Sequence, residues 1–145
     1  YRSNGTDYAE WMEKLYPSEG IEAGDVVEIV SGKITKSGNP GTGANGSGIF
    51  MVVTDSAGYV GNVGCPKSGN PGTGCVTVAF VGQVRVKVNG TARAGDYIIA
   101  GNLGTGKAVA KVNMTLEKMM NAVGRAMESK ENAGTSRILV AVGVK

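Results

Sequence analysis

The chain contains no histidine. That removes the commonest general base and the commonest metal ligand. Ser-His and Cys-His nucleophile pairs are excluded with it. Only two cysteines are present, Cys65 and Cys75, too few to build a protein zinc site without His. No cofactor or metal site is therefore expected. Aromatic residues make up only 6% of the chain. No apolar run is long enough to cross a bilayer, so membrane insertion is not expected. The net charge is +3, with signs mixed along the chain. No basic stripe with interleaved aromatics occurs, which argues against a nucleic-acid partner. There is no signal segment; Tyr1 reads as the start of a processed or excised piece, so that absence carries little weight.

What the chain has in excess is glycine, 24 of 145 residues. Glycine alone takes positive φ cheaply, so tight turns are expected and long helices are not. Strand signals dominate. Val26–Val30 and Ile49–Thr54 are short β-rich runs. Val76–Val88 is the strongest, with Val84, Val86 and Val88 alternating against Arg85 and Lys87. That period of two marks a half-buried antiparallel strand, and Gly82 within it suggests a bulge or bend. Residues 97–100, 108–112 and 138–144 complete the set. Thr115 is a candidate N-cap for one short helix carrying Leu116, Met119, Met120 and Val123, which Gly124 would end. Residues 7–15 fit either a short helix face or an edge strand.

Two repeats organise the chain. Lys-Ser-Gly-Asn-Pro-Gly-Thr-Gly occurs at 36–43 and again at 67–74, each an exposed turn-rich loop. Ala23-Gly-Asp-Val-Val27 is echoed by Ala94-Gly-Asp-Tyr-Ile98. Each would launch a strand, and each is followed by a Gly-Lys pair, Gly32-Lys33 and Gly106-Lys107, read as a turn. The expected fold is mainly β: a compact antiparallel barrel or sandwich with two related hairpins and one short helix. Residues 1–16 read as an N-terminal connector and 17–145 as a single β-rich domain.

Candidate chemistry is thin. Gly101-Asn-Leu-Gly-Thr-Gly-Lys107 matches the start of a phosphate-binding loop. Ala108 stands where Ser or Thr is needed, and a strand follows where a helix should. A hairpin turn explains it better. Asp7, Glu10, Glu13, Glu19 and Glu22 cluster near the N-terminus without calcium-loop spacing, which favours a solvated acidic face. Ser31 or Ser37 with Lys33 or Lys36 could form a His-free nucleophile pair only if the fold brought them together, and turn residues of this kind are usually only that. No catalytic residue is assigned.

Two features point outside the cell. Cys65 and Cys75 frame one flexible Pro- and Gly-rich loop, and pairing them as a disulfide is expected. Closing such a loop stabilises a fold by roughly 2–3 kcal/mol. Four Asn-x-Ser/Thr triplets start at Asn4, Asn45, Asn89 and Asn113, where chance predicts about one. Three of them are Asn-Gly, which is also hairpin-turn chemistry, and the two readings are compatible. Together they favour a secreted protein carrying N-linked glycans. Tyr8, Trp11 and Tyr16 either cover the core or form a patch that docks on a neighbouring copy.

The segment Asp7-Tyr-Ala-Glu-Trp-Met-Glu13, with Gly24-Asp-Val-Val-Glu-Ile29, Met51-Val-Val-Thr54, Gly58-Tyr-Val-Gly-Asn62, Gly95-Asp-Tyr-Ile-Ile99 and Val140-Ala-Val-Gly143 in the same order, resembles the C-terminal chaperone domains of bacteriophage tail spikes and neck appendages. The resemblance implies a trimeric β-rich domain that helps a fibre assemble. It also implies self-cleavage near the N-terminus, where Ser3 is the only Ser before the Asp-Tyr-Ala-Glu segment. The sequons and the Cys-framed loop depart from that pattern, and point to a module kept in the final structure. The leading expectation is a non-enzymatic extracellular structural glycoprotein that binds copies of itself, as a homotrimer or a filament. An autoproteolytic chaperone and a carbohydrate- or receptor-binding tip are the alternatives.

Overall fold

The structure, a computed structural model, describes residues 7–39, 47–55, 57–61 and 74–143. The chain order is β1 (Asp7–Glu13), β2 (Val26–Val30), β3 (Lys33–Lys36), β4 (Phe50–Val53), β5 (Tyr59–Val60), β6 (Cys75–Asn89), β7 (Tyr97–Ala100), β8 (Gly106–Val109), a 3-10 turn (Lys111–Asn113), α1 (Leu116–Met120), β9 (Ala122–Ala126) and β10 (Thr135–Val142). The fold is mainly β, as the composition implied. Within residues 7–15, Asp7–Glu13 settle as a strand, because β1 lies antiparallel along β6 from Asp7↔Gly82 to Glu13↔Cys75.

The 15-residue β6 serves two rings. Its C-terminal half pairs with β10, which continues through β9, β7 and β8 back to β6 at the parallel pair Val88↔Gly106. This is a closed five-strand barrel. Its N-terminal half pairs with β1 on one side and with β4, β2 and β3 on the other. The parallel bridge Lys14↔Ile34 joins the ends of that second circuit, where the Leu15 N–H donates to the Ile34 carbonyl at 2.7 Å. The two circuits share one plan. Strands β1, β2, β3, β4 and the first half of β6 correspond in order to the second half of β6, β7, β8, β9 and β10. In both, the first and third strands meet in parallel.

A bulge lets one strand line two barrels. Tyr8 faces Val81 but Ala9 faces Ala79, so Phe80 is the extra residue. Before it, Val78 belongs to the smaller core with Val27, Ile34 and Val53. After it, Val84, Val86 and Val88 fill the larger core with Ile98, Val123, Ile138 and Val140. The added residue switches which face the even-numbered side chains take. Val26 and Val52 also join the larger core while their neighbours Val27 and Val53 fill the smaller one, so β2 and β4 are buried on both faces.

The Gly-Asp repeat folds the same way twice. Gly24 and Gly95 have φ of +92° and +93°. Asp25 Oδ2 accepts from the Glu22 N–H (2.8 Å), and Asp96 Oδ2 from the Arg93 N–H (2.9 Å). The related hairpins are β2–β3 and β7–β8. The first turns at Ser31–Gly32, as the Gly-Lys pair suggested (φ +51° and +79°). The second does not turn at Gly106-Lys107. Those residues open β8, and the turn is at Leu103–Gly104 (φ +55° and +77°). A leucine in the left-handed region gives no sequence signal. The expected strand at 108–112 stops at Val109, and 111–113 form the 3-10 turn.

Helix α1 starts as expected, with Thr115 Oγ1 accepting from the Lys118 N–H at 3.2 Å. It ends at Met120, however, and Gly124 is not its stop. Gly124 lies in β9, where an added Cβ would sit 2.1 Å from the Ala141 carbonyl oxygen. Close strand approach, not helix capping, demands glycine there.

Candidate functional site: an aromatic patch and a buried ion network

Two surfaces stand out. The first lies where β1, β5 and the β6 bulge meet. Tyr8 stacks on Tyr59, with centroids 5.5 Å apart and an interplanar angle of 16°. It also meets Phe80 edge-on at 6.1 Å. The parallel pairing Tyr8↔Tyr59 and the bulge at Phe80 bring the three rings together. Tyr59 is 63% exposed, Val81 51% and Phe80 39%. Tyr8 donates its hydroxyl to Glu10 Oε2 at 2.9 Å. That bond, with burial and the nearby Glu10 charge, raises the Tyr8 pKa above the ordinary phenol value. Three large apolar side chains left in water on one face mark a contact surface.

Of the residues singled out from the sequence, Tyr8 is in this patch. Trp11 is not: it is half-buried and lines a separate cleft of about 270 Å³ with Ile21, Val53 and Cys75. Tyr16 is exposed in the turn after β1. Sequence reasoning missed Tyr59, Phe80 and Val81. Phe80 and Val81 sit inside an apolar run that reads as strand interior, and only the bulge turns them outward.

The second surface is the junction of the barrels. Asp25 is 1% exposed. Its Oδ1 lies 2.8 Å from Lys87 Nζ and its Oδ2 lies 3.9 Å from Lys36 Nζ. Lys87 also pairs with Glu22. Burial alone would lower the Lys87 pKa, but its bonds to Asp25 and Glu22 outweigh that and raise it. Glu22 in turn is held below the ordinary carboxylate value, first by its bond to Lys87 and then by that charge. Backbone bonds reinforce the junction. The Lys87 N–H donates to Gly24 O (2.9 Å), Val26 N–H to Gly104 O (2.8 Å) and Gly104 N–H to Ser37 O (3.0 Å).

The acidic cluster read near the N-terminus is not one solvated face. Asp7 is buried, Glu10 holds Tyr8, Glu13 pairs with Lys33 at 3.5 Å, and Glu19 accepts from Thr35 Oγ1 at 2.7 Å. Among the described residues no group of carboxylates or cysteines is arranged to hold a metal. Ser31, Ser37, Lys33 and Lys36 serve the β2–β3 hairpin: Ser37 Oγ donates to Gly101 O (2.9 Å) and Lys36 faces Asp25. Gly101–Lys107 is the β7–β8 turn and the start of β8. Cys75 is buried at the start of β6, while Cys65 lies outside the described residues. Asn89 and Asn113 are exposed; Asn4, Asn45 and Ser3 also lie outside the described residues.

Comparison with solved structures places this architecture. The fold is that of the C-terminal fragment of bacteriophage phi29 gene product 12. The match covers 94% of this chain and 99% of that fragment, with a TM-score of 0.62 at 17% identity. The pre-mature form of the same phage protein also matches, with a TM-score of 0.57 at 17% identity. There the match covers the whole of this chain but 22% of that one. No family model matches the sequence, and no curated protein is similar to it. The resemblance read from the Asp-Tyr-Ala-Glu segment and the Gly-Asp turns is thus borne out at the level of fold.

Proposed function

We propose that this chain is a structural, chaperone-like module of a fibre or appendage protein, acting by association with copies of itself. The observation that carries this reading is the patch of Tyr59, Phe80 and Val81, which offers water a contiguous apolar and aromatic face. The fold shared over nearly the full length with a phage gene product 12 fragment supports it. In the same reading the module is extracellular. Cys65 pairs with Cys75, and exposed Asn89 and Asn113 carry glycans along with Asn4 and Asn45. The partner at the patch is a second copy, to a trimer or a filament.

Sedimentation equilibrium of the wild type against a Tyr59→Ser/Phe80→Ser double variant tests the reading. The wild type is expected to associate at micromolar concentration. The double variant should stay folded and associate at least tenfold more weakly. A wild type that is monomeric up to about 1 mM refutes the proposal.

A second reading, self-cleavage upstream of Asp7, is favoured by the match to a form of gene product 12 described as pre-mature. The intact mass of a longer precursor decides it, and an uncut product rules it out.

A further inference from the structure

The two barrels are not only alike; one is docked on the other through parts that each possesses. The inserting part is the left-handed hairpin turn of barrel two, Leu103–Gly104. Gly104 is buried against barrel one, and an added Cβ there would meet Lys36 at 3.2 Å and Asp25 at 3.4 Å. The receiving part is the Glu22–Asp25 turn of barrel one together with the Val26 and Ser37 rung beyond it. Gly104 bonds to both ends of that rung. Gly24, within the receiving turn, packs against Arg85 and Arg137.

Each part has an undocked twin. The inserting twin is Ser31–Gly32 in barrel one. Its φ values match those of Leu103–Gly104 within a few degrees, both residues are exposed, and nothing lies within 4 Å of a Cβ built on Gly32. The receiving twin is the Arg93–Asp96 turn in barrel two. Gly95 is likewise exposed, with nothing within 4 Å of its Cβ position. The registers place Ala108 where Lys36 stands, and Tyr97 and Val109 where Val26 and Ser37 stand. At that place the surface opens into a cleft of about 760 Å³, walled by Arg93, Ala94, Asp96, Ala108, Ala110 and Glu131. In barrel one the equivalent space is taken by the turn of barrel two.

We propose that this cleft receives the Ser31–Gly32 turn of a second copy, repeating between chains the contact already made within one. The proposal rests on the reading that copies associate, and adds a contact separate from the aromatic patch. Docking would exchange one bond of the Tyr97–Val109 rung for two to the incoming glycine, as Gly104 does at Val26 and Ser37. Inserting and receiving surfaces differ, so the contact is head-to-tail. It closes into a ring or runs on as a filament according to the rotation per step.

The test uses the Tyr59→Ser/Phe80→Ser background, so that the aromatic patch does not contribute. Gly32→Asn keeps the left-handed turn, which Asn tolerates, but puts a side chain where the contact needs a bare backbone. Ala110→Arg fills the cleft, and Ala94→Arg does so from a second lining position. Sedimentation velocity up to about 1 mM should show the background protein forming oligomers and each blocked variant monomeric. A one-to-one mixture of Gly32→Asn with either cleft variant should form dimers and nothing larger, since each keeps one working surface. That recovery also reports that the variants are folded. A monomeric background protein overturns the head-to-tail contact while leaving patch association standing. Blocked variants that oligomerise like the background, or a mixture of variants with native melting curves that stays monomeric, overturn it too.

Discussion

Asp25 and Asp96 occupy the same place in the two copies of the Gly-Asp turn, yet their surroundings differ, and substituting each by Ala should separate turn chemistry from junction chemistry. Asp96→Ala removes one side-chain bond to the Arg93 N–H in an exposed turn. A bond of that kind contributes about 1 kcal/mol. Asp25→Ala removes the equivalent bond to Glu22 and also leaves Lys87 and Lys36 without their buried partner. Breaking a fully buried pair costs about 3–5 kcal/mol. The Lys87 side chain is 20% exposed and keeps Glu22, so the lower part of that range applies. We expect about 3 kcal/mol for Asp25→Ala against about 1 for Asp96→Ala, or a fall in Tm of roughly 12 °C against roughly 4 °C at this chain length. Chemical and thermal denaturation followed by circular dichroism measure both. The pH dependence carries a sign. The Lys87 pKa is raised in the folded state, so its contribution is full below its ordinary value of 10.5 and is lost as pH climbs through the folded value. The gap between wild type and Asp25→Ala should therefore narrow above about pH 10.5. Equal losses for the two variants, or a gap that widens with alkali, would refute the reasoning.

Gly124→Ala should destabilise by about 3 kcal/mol or prevent folding, because its methyl group would collide with the backbone of Ala141. Gly20→Ala, with open space around it, should change stability by less than about 0.5 kcal/mol in the same denaturation assay. Lys130 is 4% exposed and donates to the carbonyls of Gly90, Asn132 and Gly134 at 2.7, 2.7 and 2.5 Å. Replacing it by Met should cost about 2 kcal/mol, and hydrogen exchange should speed up first in the 130–134 segment. If the extracellular reading holds, the intact mass of the protein expressed through a secretory route should fall on treatment with a glycan-removing amidase and rise by two hydrogens on reduction. A mass unchanged by both treatments would dismiss the glycan and disulfide readings together.

Much of the architecture was written locally. The alternation of Val84, Val86 and Val88, the Thr115 cap and the paired Gly-Asp turns are each decided within a few residues, and the structure follows them. What stayed hidden depends on distant partners. Residues 7–15 carry Tyr8, Trp11, Met12 and Leu15 at spacings that suit helix or strand, and pairing with a strand some seventy residues later decides between them. Gly124 looks like a helix stop until β10 is laid beside it. At the surface the sequence pointed to Tyr8 but not to Tyr59 or Phe80, which join it only through a parallel pairing and a bulge. The loops read as exact repeats at 36–43 and 67–74 fall largely outside the described residues.

The extra residue at Phe80 gives β6 something like a reading frame. Up to that point the even-numbered side chains are addressed to the first barrel, and beyond it the same even-numbered set is addressed to the second. Removing a single residue there would shift the message: Val84, Val86 and Val88 would be delivered to solvent, and Arg85 and Lys87 to a greasy interior. Change of side chain is therefore negotiable barrel by barrel, whereas change of length in the middle of this strand is not.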